Sequence, residues 1–155
     1  MKISIEMIKK YPKRKGYVDE YKGRINIGDF SESIYPALDL WNKEDYEKQW
    51  KEGLERLTIY STSCLIATIH DPKVYKYVNW WVLYREDNIV YVQNEILRNE
   101  WYDNLIGDNP FTLQTCYSFV RPRITKTEDG SKISEWSVPY EEKWKKQNKY
   151  IVVTW

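Results

Sequence analysis

The sequence predicts an α+β fold, a single domain of antiparallel β-sheet with a packed amphipathic helix, and three observations carry that prediction. Apolar and polar residues alternate in several short runs bounded by turn residues, the period-two signature of half-buried strands. One stretch, residues 42–57, instead repeats its apolar side chains at helical spacing. With 155 residues, 42% of them apolar, the chain is long enough for one real core and too short to suggest two.

Each element follows in order. Ile3, Ile5 and Met7 alternate with polar residues and predict a strand over 2–8, ended by Tyr11-Pro12. The basic stretch Lys9 to Lys15 reads as a solvated connector, so residues 1–16 are expected to form a basic N-terminal extension of the one domain that spans 1–155. A weaker strand pattern runs over 17–27 through Tyr21, Ile25 and Ile27 and closes at Gly28-Asp29. The helix near 42–57 follows Tyr35-Pro36. Asn42 suits its cap, Glu44 and Asp45 suit the positive end of its dipole, and Tyr46, Trp50, Leu54 and Leu57 share one face.

Three β segments come next: 63–69, ended by Asp71-Pro72, then 78–85 and 89–96. The turn Glu86-Asp87-Asn88 joins the last two into a hairpin. Residues 98–113 read as a loop that turns at Gly107-Asp108-Asn109-Pro110. A second hairpin is expected from 119–125 and 133–138 around Glu128-Asp129-Gly130. A C-terminal amphipathic helix is expected to start near Pro139, with Tyr150 to Trp155 as a last strand or a docked extension.

The composition narrows the chemistry. Aromatic residues make up 16%, with 8 Trp and 14 Tyr, which is more than a core requires, so some rings should face outward. The net charge of +1 hides an uneven distribution: +5 over residues 1–27, −4 over 28–57, −3 over 58–120 and +3 over 121–155. Cys64 and Cys116 have neither metal-ligand spacing nor a CxxC partner, and a reduced, cytoplasmic state is expected for them. No run approaches the roughly 18 apolar residues of a membrane span, and the N-terminus has no signal-peptide pattern.

No catalytic, metal-binding or cofactor-binding residues are assigned. His70 is the only histidine; it adjoins Asp71 at a strand end and lies about 20 Å along the strand from Cys64, too far for a nucleophile and its base. Adjacent acids such as Asp19-Glu20 and Glu141-Glu142 are ordinary on solvated faces, and no glycine-rich phosphate loop occurs. A single-stranded nucleic-acid-binding protein stays open as the alternative, because Lys9 to Lys15 and Lys143 to Lys149 contain or adjoin Tyr11, Tyr17, Trp144 and Tyr150. The near-neutral total and the acidic centre weigh against it.

Several segments carry a resemblance: Leu40-Trp41-Asn42-Lys43-Glu44-Asp45-Tyr46 with Trp50, Trp81 to Asp87 running into Val90-Tyr91-Val92-Gln93-Asn94, and Asp129 to Trp136. In this order and spacing, over about 34–138, the chain resembles the CdiI-type immunity proteins of bacterial contact-dependent growth inhibition, in the branch with a Whirly-like fold. The resemblance implies a non-enzymatic binder of a CdiA C-terminal toxin domain, in the studied branch an RNase that cuts ribosomal RNA. The N-terminal extension and the tail beyond about 140 have no clear counterpart.

A nuclease presents basic groups to phosphates, so an inhibitor gains on-rate and specificity from an acidic, aromatic-bearing face. The expected interface therefore comprises Glu86, Asp87, Gln93, Glu95, Glu100, Asp103 and Asp108, with Tyr84, Tyr91 and Trp101 as anchors. Tyr84 shares a row with Trp80 and Val82, and Tyr91 shares one with Gln93 and Glu95; the second, more polar row is expected to be the exposed one. Trp41, Trp81 and Trp136 are expected to be buried.

Overall fold

The computed structural model describes residues 3–11, 18–98 and 110–140. Strands β1 (Ile3–Tyr11), β2 (Glu20–Ile27) and β3 (Phe30–Ile34) form an antiparallel sheet in that order. Helix α1 (Lys43–Arg56) follows. The second sheet is β4 (Thr62–Ile69), β5 (Val78–Glu86), β6 (Ile89–Leu97) and β7 (Trp136–Pro139), again antiparallel and in sequence order. A 3-10 turn over Cys116–Phe119 precedes β7.

The predicted periodicities are visible in the burial. Ile3, Ile5 and Met7 of β1 are buried, as are Ile25 and Ile27 of β2. Strand β5 differs, because Trp80, Trp81, Val82, Leu83 and Tyr84 are all buried. A strand covered on both faces reads as a continuous apolar run rather than an alternation. One face puts Trp81 near Phe30 of β3, with ring centroids 6.4 Å apart, and near Trp136, with centroids 5.5 Å apart. The other face sets Trp80 against Phe111 at 6.0 Å.

Helix α1 begins at a reciprocal cap. The Asn42 side chain accepts from the Asp45 N–H at 2.8 Å, and the Asp45 carboxylate accepts from the Asn42 N–H at 3.0 Å. Its buried face serves the outer edge of β4. Gln49 donates to the Cys64 carbonyl and accepts from the Ile66 N–H, both at 2.8 Å, and Trp50 Nε1 donates to the Ile66 carbonyl at 2.8 Å. Those bonds satisfy backbone groups that an edge strand would otherwise leave open. Gly53 makes the close approach possible: a Cβ there would collide with the Cys64 carbonyl and come within 2.9 Å of Leu65 Cδ2.

Four expectations are corrected. Lys9 and Lys10 continue β1 past an irregularity between Met7 and Lys9 rather than forming a connector. Strand β3 was not expected, since its middle residues Ser31, Glu32 and Ser33 are polar and none is buried. The hairpin of 119–125 with 133–138 does not form a ladder. It keeps its turn, with Gly130 at φ 87° and the Thr127 N–H bonded to the Ser131 carbonyl, and one bridge, Lys126 to Lys132. The carbonyls of Arg121 and Ile124 are taken by side chains of the second sheet instead, and Trp136–Pro139 pairs with β6. Pro139 closes β7, so no helix starts there; the rest of the expected C-terminal helix lies beyond 140, outside the described residues.

Candidate functional site

The β5–β6 hairpin gathers the expected interface residues that fall among those described. Its two-residue turn puts Asp87 at φ 56°, a left-handed conformation that aspartate tolerates better than most side chains. The resulting register sets Tyr84 opposite Tyr91, Val82 opposite Gln93 and Trp80 opposite Glu95. Residues directly opposite one another share a face, so the two rows that sequence reasoning assigned to different faces lie on one. Counting outward from the turn at 87–88 was the signal that could have revealed this.

Contrary to expectation, that face is not a free surface. Tyr84 is buried and its hydroxyl donates to the Arg121 carbonyl at 2.8 Å. Gln93 is buried as well, donating to the Ile124 carbonyl at 2.8 Å and to Glu135 Oε2 at 2.7 Å. Arg123 lies over the Tyr91 ring, 3.8 Å from its centroid, pairs with Glu135 at 2.6 Å and reaches Glu86 at 3.3 Å. Glu95 pairs with Arg121. The segment 121–135 therefore lies across the face, held by the bonds its arginines and carbonyls make to it. Arg123 beside Glu135 holds that carboxyl below the ordinary 4.5. Glu86 and Asp87 remain exposed at the tip. Glu100, Trp101, Asp103 and Asp108 lie outside the described residues.

A second feature, which sequence reasoning missed, sits at the opposite end of β5. An open cavity of about 550 Å³ is lined by Tyr11, Tyr35, Tyr75, Tyr77, His70 and Glu20, among others. Tyr11 ends β1 opposite Glu20 of β2, Tyr35 follows β3, and His70 follows β4. His70 pairs not with its neighbour Asp71 but with Asp39, whose carboxylate lies 3.2 Å from Nδ1 and also accepts the Asp71 N–H at 2.9 Å. A tight turn, with the Val74 and Tyr75 N–H groups bonded to the Asp71 carbonyl, then presents Tyr75 and Tyr77. Their rings stand at 67° and 57° to the imidazole.

The cysteines meet away from either feature. Cys64 Sγ is 3.6 Å from Cys116 Sγ, both thiols are free and buried, and burial pushes Cys64 well above its ordinary value. Trp41 and Trp81 are buried and Trp136 is partly buried. Among the described residues, no cluster of three or more His, Cys, Asp or Glu could hold a metal ion. No helix among them is long and apolar enough to cross a membrane.

Comparison with known proteins places this geometry in a family. The model of the CdiI N-terminal domain matches residues 36–150. Over 113 residues the chain is 34% identical to the immunity protein CdiI of Enterobacter cloacae subsp. cloacae, covering 72% of this chain and 74% of that protein. Its fold is similar to a chain of the solved CdiA-CT/CdiI toxin and immunity complex from Enterobacter cloacae. That match has a TM-score of 0.78 and 26% identity, and it spans 96% of this chain and 99% of the other. The α+β fold of two antiparallel sheets and one helix agrees with the expectation. The chain belongs to the CdiI N-terminal domain family, whose members are immunity proteins and not enzymes.

Proposed function

We propose that this protein is the immunity partner of a contact-dependent growth inhibition system, binding and neutralising the C-terminal toxin domain of its cognate CdiA effector. The observation that carries the reading is the structural match along nearly the whole of both chains to a toxin and immunity complex. On this reading residues 1–155 act as one unit in the cytoplasm, stoichiometrically and without a cofactor.

The toxin is further proposed to be a nuclease. In support stands the acidic centre of the chain, −4 over residues 28–57 and −3 over 58–120, which complements the basic surface a nuclease needs for phosphates. Glu86 and Asp87 at the exposed hairpin tip are its proposed contacts, with Tyr91 and Glu95 on the flank. Glu100, Trp101, Asp103 and Asp108 are proposed from the sequence. Tyr84 and Gln93, being buried, would act by holding the hairpin rather than by touching the toxin.

Co-expression with the toxin domain encoded beside this chain tests the reading. Restored growth and a stoichiometric complex are expected. No rescue, combined with binding of single-stranded oligonucleotides that weakens steeply with salt, would replace it with the nucleic-acid alternative.

A further inference from the structure

Cys64 and Cys116, the two cysteines of the chain, stand 52 positions apart in sequence and meet in the core with their Sγ atoms 3.6 Å apart. Both are free thiols and fully buried. A single buried cysteine is a small apolar filler. Two sulfurs in contact are also the two halves of a disulfide. The bond itself needs a separation of about 2.05 Å, so each sulfur has less than about 1 Å to travel.

The approach of the two sulfurs is built in. Gln49 of α1 donates both to the Cys64 carbonyl at 2.8 Å and to the Tyr117 hydroxyl at 3.2 Å, so one side chain sets the strand and the turn relative to each other. The two thiols are nevertheless held with unequal firmness. Cys64 lies within β4, paired opposite Val82 of β5 and bonded to α1 on the other side. Cys116 opens the four-residue 3-10 turn Cys116–Phe119, between the exposed residues Gln114 and Ser118, and its N–H bonds locally to the Thr112 carbonyl at 2.9 Å. Short turns open more readily than sheet interiors. A small oxidant therefore reaches Cys116 first and finds Cys64 beside it.

We propose that Cys64 and Cys116 form a dithiol modification site, oxidised by hydrogen peroxide to an internal disulfide that fastens the 116–119 turn to β4. The Cys116 sulfur attacks one peroxide oxygen; the O–O bond breaks, a sulfenic acid forms on Cys116, and its thiol proton leaves with the other oxygen as water. The Cys64 sulfur then attacks the Cys116 sulfur. The S–O bond breaks, and the departing hydroxide takes the Cys64 proton as a second water. In all, two S–H bonds give one S–S bond, and the two electrons reduce one peroxide to two waters. The closed loop contains the whole of β5 and β6. Cross-linking restricts the unfolded chain, so the oxidised protein resists unfolding. This chemistry is independent of what the protein binds.

Treatment of the reduced full chain with hydrogen peroxide tests the site, followed by quenching, unfolding, alkylation and peptide mass spectrometry beside thermal unfolding. Both thiols should escape alkylation, and one peptide pair should join Cys64 to Cys116. The unfolding midpoint should rise by about 10 °C and return with dithiothreitol, which separates the disulfide from methionine oxidation. Cys116→Ala should show neither the cross-link nor the reversible shift. Cys64→Ala should stop at the sulfenic acid on Cys116, where dimedone captures it. Two wild-type thiols that still alkylate after peroxide, both in buffer and in urea just below the unfolding transition, would overturn the site. A cross-link between two chains, or an internal one that leaves the midpoint unchanged, would overturn it as well.

Discussion

The acidic hairpin and the tyrosine cavity occupy opposite ends of β5 and use their polar groups in opposite ways. At the hairpin the acids are answered from within the chain, Glu135 and Glu86 by Arg123 and Glu95 by Arg121. At the cavity Asp39 holds His70 and the Asp71 N–H, and the tyrosine rings meet one another and the imidazole at steep angles. A carboxylate already paired with arginine offers a partner little new attraction, because the pairing must be weakened before another can form. Counting acids along the sequence therefore overstates the charge that the hairpin presents.

The largest effect is expected where internal pairing is densest. Arg123→Ala removes the bonds to Glu135 and Glu86 and the cover over Tyr91, and should cost about 2 kcal/mol in urea denaturation, the scale of hydrogen bonds to charged groups. A loss below about 0.5 kcal/mol would mean that the roof over the hairpin does not stabilise the fold, and the contrast between the two regions would lapse.

Acid sharpens the same contrast. The hydrogen bond from Arg123 lowers the Glu135 carboxyl below its ordinary 4.5. The stabilisation is therefore complete above that value and is lost as pH falls through the lower, folded one. Urea midpoints measured from pH 6 to pH 3 should decline, and the decline should be shallower in Arg123→Ala. Equal slopes would detach Glu135 from Arg123.

The hairpin face also has an alkaline limit. Burial is the main cause that raises the Tyr84 hydroxyl from 10.0 to about 12, and burial likewise raises Tyr46 and Tyr117. A raised folded value means that the stabilisation is intact below pH 10 and is lost as pH climbs towards 12. Chemical unfolding followed across that window should show the fall. A flat profile would place these phenols in contact with solvent.

The smallest change is expected at the tip. Glu86→Gln should alter stability by less than about 0.5 kcal/mol, because its bond to Arg123 is long and solvated. Toxin affinity should fall no more than a few-fold. A loss of about tenfold or more in titrations at matched salt would make Glu86 an anchor of the complex.

Much of the scaffold is legible from local chemistry. Asn42 and Asp45 announce the start of α1, Gly28-Asp29 and Asp87-Asn88 mark tight turns, and Ile3, Ile5 and Met7 reveal a buried face. The candidate sites are far less so. Tyr11, Tyr35, His70 and Tyr75 come from four separate parts of the chain, and no spacing rule joins them. Asp39 displaces Asp71 as the partner of His70 from 31 residues away. The polar middle of strand β3 gives only a weak alternation, and the turn at Glu128-Asp129-Gly130 predicts a second hairpin whose ladder does not form, because a good turn does not guarantee one.

By itself the sequence determined the class of the fold, the helix with its cap and the central hairpin, since each depends on residues within a few positions of one another. Only the tertiary structure decided which hairpin residues are covered, which arginine answers which acid, and which tyrosines share a cavity. Those outcomes depend on how the 121–135 segment lies across one sheet and how the ends of both sheets converge, and long-range packing of that kind leaves no periodic trace in the chain.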